Sequence, residues 1–514
     1  MIEAVREFVL RLGDGAQVAA EICAGAVRAL FEGHVCVRLS SEQIACLERV
    51  EGLVTAVEAQ TPPAQVSTPF VRAESLLYTR RNWRYERTVR DRLCAMIAAR
   101  AEGPEPTLPE TDFYRALRAE QREAVLAMCR ERLTLLTGGP GTGKTHTLAR
   151  AVARMRELEP TLRLALAAPT GKAAARMTEA LAAALPGASV PRATTLEGLL
   201  GSRYDGVTFR HNRENPLPID WLIIDEASMI GLPMMAKLLD ALPEACRLTL
   251  VGDVDQLASV ERGHVLGDLC HLRGLRLCRL RQSARFPAGG AIARLAAAVN
   301  DGEVEAALRL LHAGDDLVRY RDLRGCDPFH PARWADFAAC LAQGFQAFAR
   351  ARSPEEALAH LNDFRLLCAL RRGPYGLERL NAFVRRSLGP RAPQPVMISR
   401  NDAALGVANG DIGVVMPQAP DRLYLPTGGA ARAIRLAFLP STEPAYASTV
   451  HKAQGSEFTD VAILLPPQGD SPLLTREVLY TAITRTRRRV HLYAGDEAVA
   501  RCCTCAVERL SGLR

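Results

Sequence analysis

The run GGPGTGKT, from Gly138 and Gly139 through Pro140, Gly141, Thr142 and Gly143 to Lys144 and Thr145, matches the spacing G-x-x-x-x-G-K-[ST]. It lies between an apolar stretch, LTLLT, and a helical pattern that opens with His146. Glycines let backbone N–H groups turn toward an anion at a helix N-terminus, where the helix dipole favours negative charge. Lys144 supplies a point charge for β and γ phosphates, and the Thr145 hydroxyl suits magnesium. The chemistry expected here is binding of a nucleoside triphosphate with Mg2+.

Two later apolar runs end in residues that could act on that ligand. WLIIDEAS places Asp225 and Glu226 where a strand emerges, Asp225 to hold the magnesium shell and Glu226 to polarise an attacking water. Alone, such a pair more often caps a helix; after a phosphate loop the catalytic reading is favoured. RLTLVGDVDQLASV ends in Gly252, Asp253 and Gln256. The Gln256 amide both donates and accepts, so it can sense a γ phosphate.

The elements that position these residues are short apolar strands alternating with helices. LTLLT, LRLALAAPT, WLIIDEAS and RLTLVGD predict a parallel sheet covered on both faces, with ligands at the carboxyl ends of the strands. A second alternating region carries FRLLCAL, TDVAILLP and RRVHLYAG. The fold class expected is α/β, with two P-loop-type motor domains at about 106–272 and 273–514. A polar, turn-rich excursion at about 202–219 suits a small hairpin, and four strand-like runs at about 395–445 suit an inserted β barrel. Residues 1–105 form amphipathic helical patterns that end in the Pro/Glu linker AEGPEPTLPE, so a separate, mainly helical domain is expected there.

Taken in order, Gln121, GGPGTGKT, APTGKAAARM, IIDEAS, GDVDQL, RQSARF, VHKAQGSEF and YTAITRTRRRV resemble the motif set of superfamily 1 helicases. FRHNRENPLPID, GDVDQLASVERGHVLGDL, NGDIG and TVHKAQGSEF narrow the resemblance to the RecD family, the alpha subunits of exodeoxyribonuclease V. The motor resemblance covers about residues 106–500 and implies two RecA-like domains, with the inserted barrel of SH3-like form. It implies that Gln121 reads adenine, as an amide bidentate to adenine can. It brings Arg285 and Arg485 across from the second domain to stabilise transition-state charge, and it sets Glu457 on the nucleotide ribose. Toward DNA it implies Thr170 and Lys172 at a helix start, then Thr195, Thr449, His451 and Lys452. Where the family has histidine this chain has Glu197, whose charge would repel phosphate.

Those resemblances imply an ATP-dependent 5′–3′ translocase on single-stranded DNA. It would also engage duplex ends and form a heterotrimer with RecB-like and RecC-like subunits in double-strand break repair. A free-standing helicase and a regulatory ATP switch on a nuclease are the alternatives. The intact Lys144, Asp225, Glu226, Gln256, Arg285 and Arg485 disfavour the switch. No Asp/Glu/Lys cluster suggests a nuclease site, so cleavage is expected in a partner.

Composition is compatible with this. Hydrophobic residues are 48% and charged residues 24% of 514, and the net charge of +8 suits a polyanionic partner without requiring one. The fourteen cysteines are scattered apart from CCTC at Cys502, Cys503 and Cys505, which lacks further metal ligands nearby. Reduced thiols, a charged amphipathic N-terminus and no long apolar run favour a cytoplasmic protein without a membrane span. In RNWRYE, Trp83 and Tyr85 among arginines allow base stacking, although arginine packed on aromatic rings is the commoner arrangement. The resemblance adds docking of the whole N-terminal domain on a partner.

Overall fold

The structure, a computed structural model, describes residues 1–12, 16–58, 60–99, 105–202, 208–259, 261–286, 289–323, 331–402, 404–427 and 430–513. Its first large sheet has six parallel strands in the spatial order Arg276–Leu280, Leu133–Gly138, Arg247–Gly252, Trp221–Ile224, Leu164–Ala168 and Thr194–Thr195. The central strands are largely apolar because both faces are covered, whereas the two edge strands carry Arg276, Arg279 and Thr194 exposed. One face packs Leu136, Ile223 and Val251 against helices Ala119–Arg130, Lys144–Leu158 and Gly171–Ala184. The other packs Leu135, Leu222 and Leu250 against helix Leu232–Ala241.

The strand Arg276–Leu280 lies beyond the boundary expected at 272/273, yet it pairs in parallel with Leu133–Gly138. The first sheet therefore extends past that boundary, because the apolar positions of RLCRL fill the open edge beside the phosphate-loop strand.

A second parallel sheet has the order Val318–Asp322, Thr486–Ala494, Phe458–Leu464, Phe364–Cys368 and Ala447–Thr449. Between Phe364–Cys368 and Ala447–Thr449 the chain forms a five-stranded antiparallel sheet from Gln394–Ile398, Ile412–Met416, Ala419–Thr427, Ala430–Arg435 and Thr442–Pro444. It curls around Ile398, Val407, Val415, Leu423, Leu425 and Ile434. The excursion expected at 202–219, described outside 203–207, has antiparallel bridges Ser202–Phe209 and Asn212–Asn215.

The N-terminal region carries the expected helices, Ile2–Leu10, Gln17–Phe31, Ser41–Glu48 and Arg80–Ala98. It also holds a four-stranded sheet, Val37–Arg38, Leu76–Thr79, Phe70–Ala73 and Val54–Val57. Strands of two to four residues are too short to reveal an alternating pattern in sequence. Trp83 is buried in a core shared with the first motor sheet, and the Arg81 guanidinium lies 6.0 Å from the Tyr85 ring centre. This aromatic cluster packs internally, as the commoner reading of RNWRYE anticipates.

The chain end ties these parts together. Leu510 N donates to His34 Nδ1 at 3.0 Å, Gly512 N to Glu86 Oε2 at 3.0 Å, and Arg509 Nη1 to Glu261 O at 2.6 Å. A strap leaving the second motor thus fastens the N-terminal domain to the first. Among the described residues no helix is long and apolar enough to cross a membrane.

Candidate nucleotide site between the two sheets

The phosphate loop leaves strand Leu133–Gly138 and enters helix Lys144–Leu158 through Gly143, whose φ of +89° lies in the left-handed region. Two glycines are required by close approach as well as by conformation. A Cβ on Gly141, at φ +75°, would lie 2.4 Å from Arg285 Cβ, and one on Gly143 would lie 2.6 Å from Gln121 Nε2. Lys144 Nζ donates to Gly138 O at 2.6 Å and to Gly139 O at 3.1 Å, so the ammonium curls over the loop that it is expected to serve.

The loop opens into a cleft of about 290 Å³ lined by Gly141–Gly143, Lys144, Thr145, His146, Arg176, Asp225, Glu226, Asp253, Gln256, Arg285, Gly455, Glu457 and Arg485. Asp225 directly follows strand Trp221–Ile224, and its Oδ1 accepts from Glu226 N at 2.8 Å. Burial and the neighbouring Glu226 push the Asp225 carboxyl upward, while Lys144 pulls it down. Glu226 has φ +53° and ψ +38°, an uncommon conformation for a side-chain-bearing residue that costs on the order of 1–3 kcal/mol and here aims a carboxylate. Gln256 is buried and its Nε2 donates to Asp253 Oδ2 at 2.8 Å. The Thr145 hydroxyl and the Asp225 carboxylate are hard oxygen donors of the kind Mg2+ prefers. Among the described residues no group of three or more His, Cys, Asp or Glu forms a further metal centre.

The second sheet contributes Arg485, buried behind helix Arg476–Thr484, with its Nε donating to Thr481 O at 3.2 Å. Burial lowers the pKa of its guanidinium, and Glu226, Glu457 and Asp253 partly restore it. Glu457 opens strand Phe458–Leu464 and meets three cations: Arg285 at 2.6 Å, Arg176 at 3.1 Å and Arg487 at 3.2 Å. Burial alone would raise its carboxyl, but Arg176 and Arg285 outweigh that and hold it at about 2.

The contacts of three of the expected residues are as follows. Arg285 follows the edge strand Arg276–Leu280 of the first sheet and is fastened to the phosphate loop, since Ala284 N donates to Gly141 O at 2.8 Å and Ser283 Oγ to Pro140 O at 2.9 Å. It approaches the cleft from the connection between the sheets, not from the second domain. The Gln121 amide is engaged locally: Nε2 donates to Thr142 O at 3.3 Å and Oε1 accepts from Arg118 N at 3.1 Å. Glu457 is taken up by guanidinium groups. Arg176 was missing from the sequence-derived site, although its spacing four residues after Lys172 in APTGKAAARM sets both on one helical face.

The residues assigned to DNA spread over both sheets. Thr170 Oγ1 accepts from Ala173 N at 3.2 Å, Thr195 Oγ1 from Gly198 N at 3.1 Å, and Thr449 Oγ1 from Lys452 N at 3.3 Å, so each hydroxyl caps a local turn. Thr170 and Glu197 line a groove with Met229, Ser259, Glu261 and Gln454. Lys172 is pushed down to about 8 by burial and by Arg365 and Arg176, with Asp411 opposing. Lys452 forms an ion pair with Glu443 of the inserted sheet, and burial with nearby Arg509 lowers the pKa of His451. Cys502 and Cys503 are buried in the second motor's core, where burial raises both thiols, Cys503 to about 11.

One family model falls on each of the two large sheets. Residues 121–262 match the AAA domain family and residues 444–493 the UvrD-like helicase C-terminal domain. The chain is 39% identical to RecBCD enzyme subunit RecD of Mycolicibacterium smegmatis over 95% of its own length and 92% of the relative's. It is 32% identical to the Haemophilus influenzae protein of the same name, over 76% and 71%. It is also 33% identical to ATP-dependent RecD2 DNA helicase of Deinococcus radiodurans, over 73% of this chain and 48% of that protein. Among solved structures it is similar to Bacteroides Pif1 bound to ssDNA, at 17% identity and a TM-score of 0.44, covering 73% of this chain and 92% of that one.

Proposed function

The chain belongs to the RecD family of superfamily 1 helicases, and on that premise we propose that it is the ATP-driven, 5′–3′ single-stranded DNA motor of a RecBCD-type helicase–nuclease. The observation that carries this reading is the convergence on one cleft of Lys144, Thr145, Asp225, Glu226 and Gln256 from the first sheet with Glu457 and Arg485 from the second. ATP is the substrate of that cleft. Lys144 and the amides of Gly141–Lys144 hold the phosphates, Glu226 orients the attacking water, and Arg285 and Arg485 meet the charge that develops on the γ phosphoryl group. Thr145 and Asp225 would hold Mg2+, which would supply neutralisation of phosphate charge there.

Because groups from two sheets must meet around one phosphate, turnover is tied to closure of the cleft, and closure moves the sheets past one another. The groove lined by Thr170 of the first motor and Gln454 of the second, which also carries Glu197 and Glu261, lies where single-stranded DNA would cross from one motor to the other. Lys172, and Lys452 once drawn from its ion pair with Glu443, are the cations available to DNA phosphates. RecB-like and RecC-like subunits are the proposed partners, and nuclease chemistry belongs to one of them.

Strand displacement on duplexes with a 5′ or a 3′ overhang tests the proposal in the assembled complex. Activity from the 5′ overhang, abolished by Lys144→Gln, is expected. Preference for the 3′ overhang overturns the polarity, and ATP hydrolysis at one rate with and without single-stranded DNA overturns the motor reading.

A further inference from the structure

We propose that Arg176 is a positioning residue for ATP hydrolysis: it restrains the Glu457 carboxylate across the cleft and so leaves Arg285 free for the γ phosphate. The inference rests on the cleft being the ATP site. Arg176 stands on helix Gly171–Ala184 of the first motor, yet both its partners lie in the second. Its Nη2 reaches Glu457 Oε1 at 3.1 Å and its Nη1 donates to Gly455 O.

The same oxygen, Glu457 Oε1, accepts from Arg285 Nη2 at 2.6 Å. Arg285 Nη1 is buried with no hydrogen-bond partner. A buried guanidinium N–H without an acceptor is costly, so this donor is prepared for an anion that enters the cleft. That anion and Glu457 compete for one guanidinium. Glu457 stays ionised across the physiological range because Arg176 and Arg285 hold its carboxyl low. It therefore cannot yield Arg285 by taking up a proton and must be held by another cation.

Arg176 is that cation, and its place on the first motor makes the restraint effective only when the two motors are close. Arg487, at 3.2 Å from Glu457 Oε2, lies on the second motor with Glu457 itself and cannot report closure. Arg176 thus acts through Glu457 on Arg285 without needing to touch the substrate.

A double-mutant cycle on DNA-stimulated ATP hydrolysis by the full-length protein in its assembly tests this. Arg176→Gln is expected to lower kcat about tenfold while changing the KM for ATP less than about threefold. In a Glu457→Gln background the same change is expected to cost less than about twofold, because no carboxylate then competes for Arg285. An unchanged kcat in Arg176→Gln, or an equal loss in both backgrounds, overturns the proposal. Lys144→Gln is the separate control: hydrolysis that survives it overturns the ATP site itself, whereas loss with an additive Arg176–Glu457 cycle overturns only the role of Arg176.

Discussion

The Tyr480 hydroxyl donates to Asp253 Oδ2 at 3.2 Å, so a helix of the second motor grips the carboxylate that also accepts from the Gln256 amide of the first. Leu257 N donates to Thr481 Oγ1 at 3.0 Å and Gln454 Nε2 to Leu257 O at 2.8 Å, extending the same junction. The segment Asp253–Leu257, just after strand Arg247–Gly252, therefore faces the cleft on one side and the other motor on the other, a layout suited to passing a change at the proposed nucleotide site into relative movement.

Tyr480→Phe keeps the ring and deletes the donor. A hydrogen bond to a buried charged acceptor is worth about 1.5–3 kcal/mol, and DNA-stimulated kcat is expected to fall about tenfold. ATP affinity, set by the phosphate loop, is expected to change less than about threefold. Steady-state kinetics with fluorescent nucleotide binding separates the two, and an unchanged kcat would remove the junction from the coupling path.

Glu226→Gln retains size and hydrogen bonding while removing the charge proposed to orient water. The expected loss in kcat is on the order of 10²–10⁴ with nucleotide still bound. Single-turnover hydrolysis checks it; residual chemistry near the wild-type rate would assign the water to another group.

His491 gives a pH signature. On strand Thr486–Ala494 it is the register partner of Arg319, with Arg489, Asp460 and Asp336 also facing it, and burial together with the two arginines lowers it from 6.5 to about 4. A depressed folded value means that the unfolded chain binds the extra proton first, so stability is full above about 6.5 and is lost as pH falls toward 4. The difference between the protein and His491→Gln is expected to shrink by about 2–3 kcal/mol across that window. Thermal melting at pH 7, 5.5 and 4 measures it, and parallel pH profiles for the two proteins would contradict the assignment.

Gly512 tests the strap at the chain end. A Cβ there would lie 2.2 Å from the Tyr78 hydroxyl and 2.6 Å from Glu86 Oε1, both in the interior of the N-terminal domain. Gly512→Ala is expected to lower stability by about 1–3 kcal/mol through overpacking and to expose residues 506–513 to protease. Equal proteolysis of the two proteins would show the strap to be dispensable.

Local chemistry was legible in the linear order of residues. A phosphate loop needs only glycines, a lysine and a threonine between one strand and one helix, and all its parts lie within eight residues from Gly138 to Thr145. Asp225, Glu226 and Gln256 were equally readable because each lies within four residues of the end of an apolar strand whose direction fixes where its end must point. The two parallel sheets followed from the same alternation, and membership of the RecD family from the order of the motifs.

What depended on tertiary structure was every role set by a partner distant in sequence. Glu457 is surrounded by Arg176, Arg285 and Arg487, 281, 172 and 30 residues away by numbering, and its charge and accessibility follow from that enclosure alone. Arg285 depended on which sheet received Arg276–Leu280, and Gln121 on the closeness of Thr142. The short N-terminal strands form because neighbouring strands supply hydrogen bonds that runs of two to four residues cannot supply for themselves. Residue types and spacing determined the chemistry available to this protein; the packing of two sheets decided which charge faces which, because electrostatic partnership depends on distance in space.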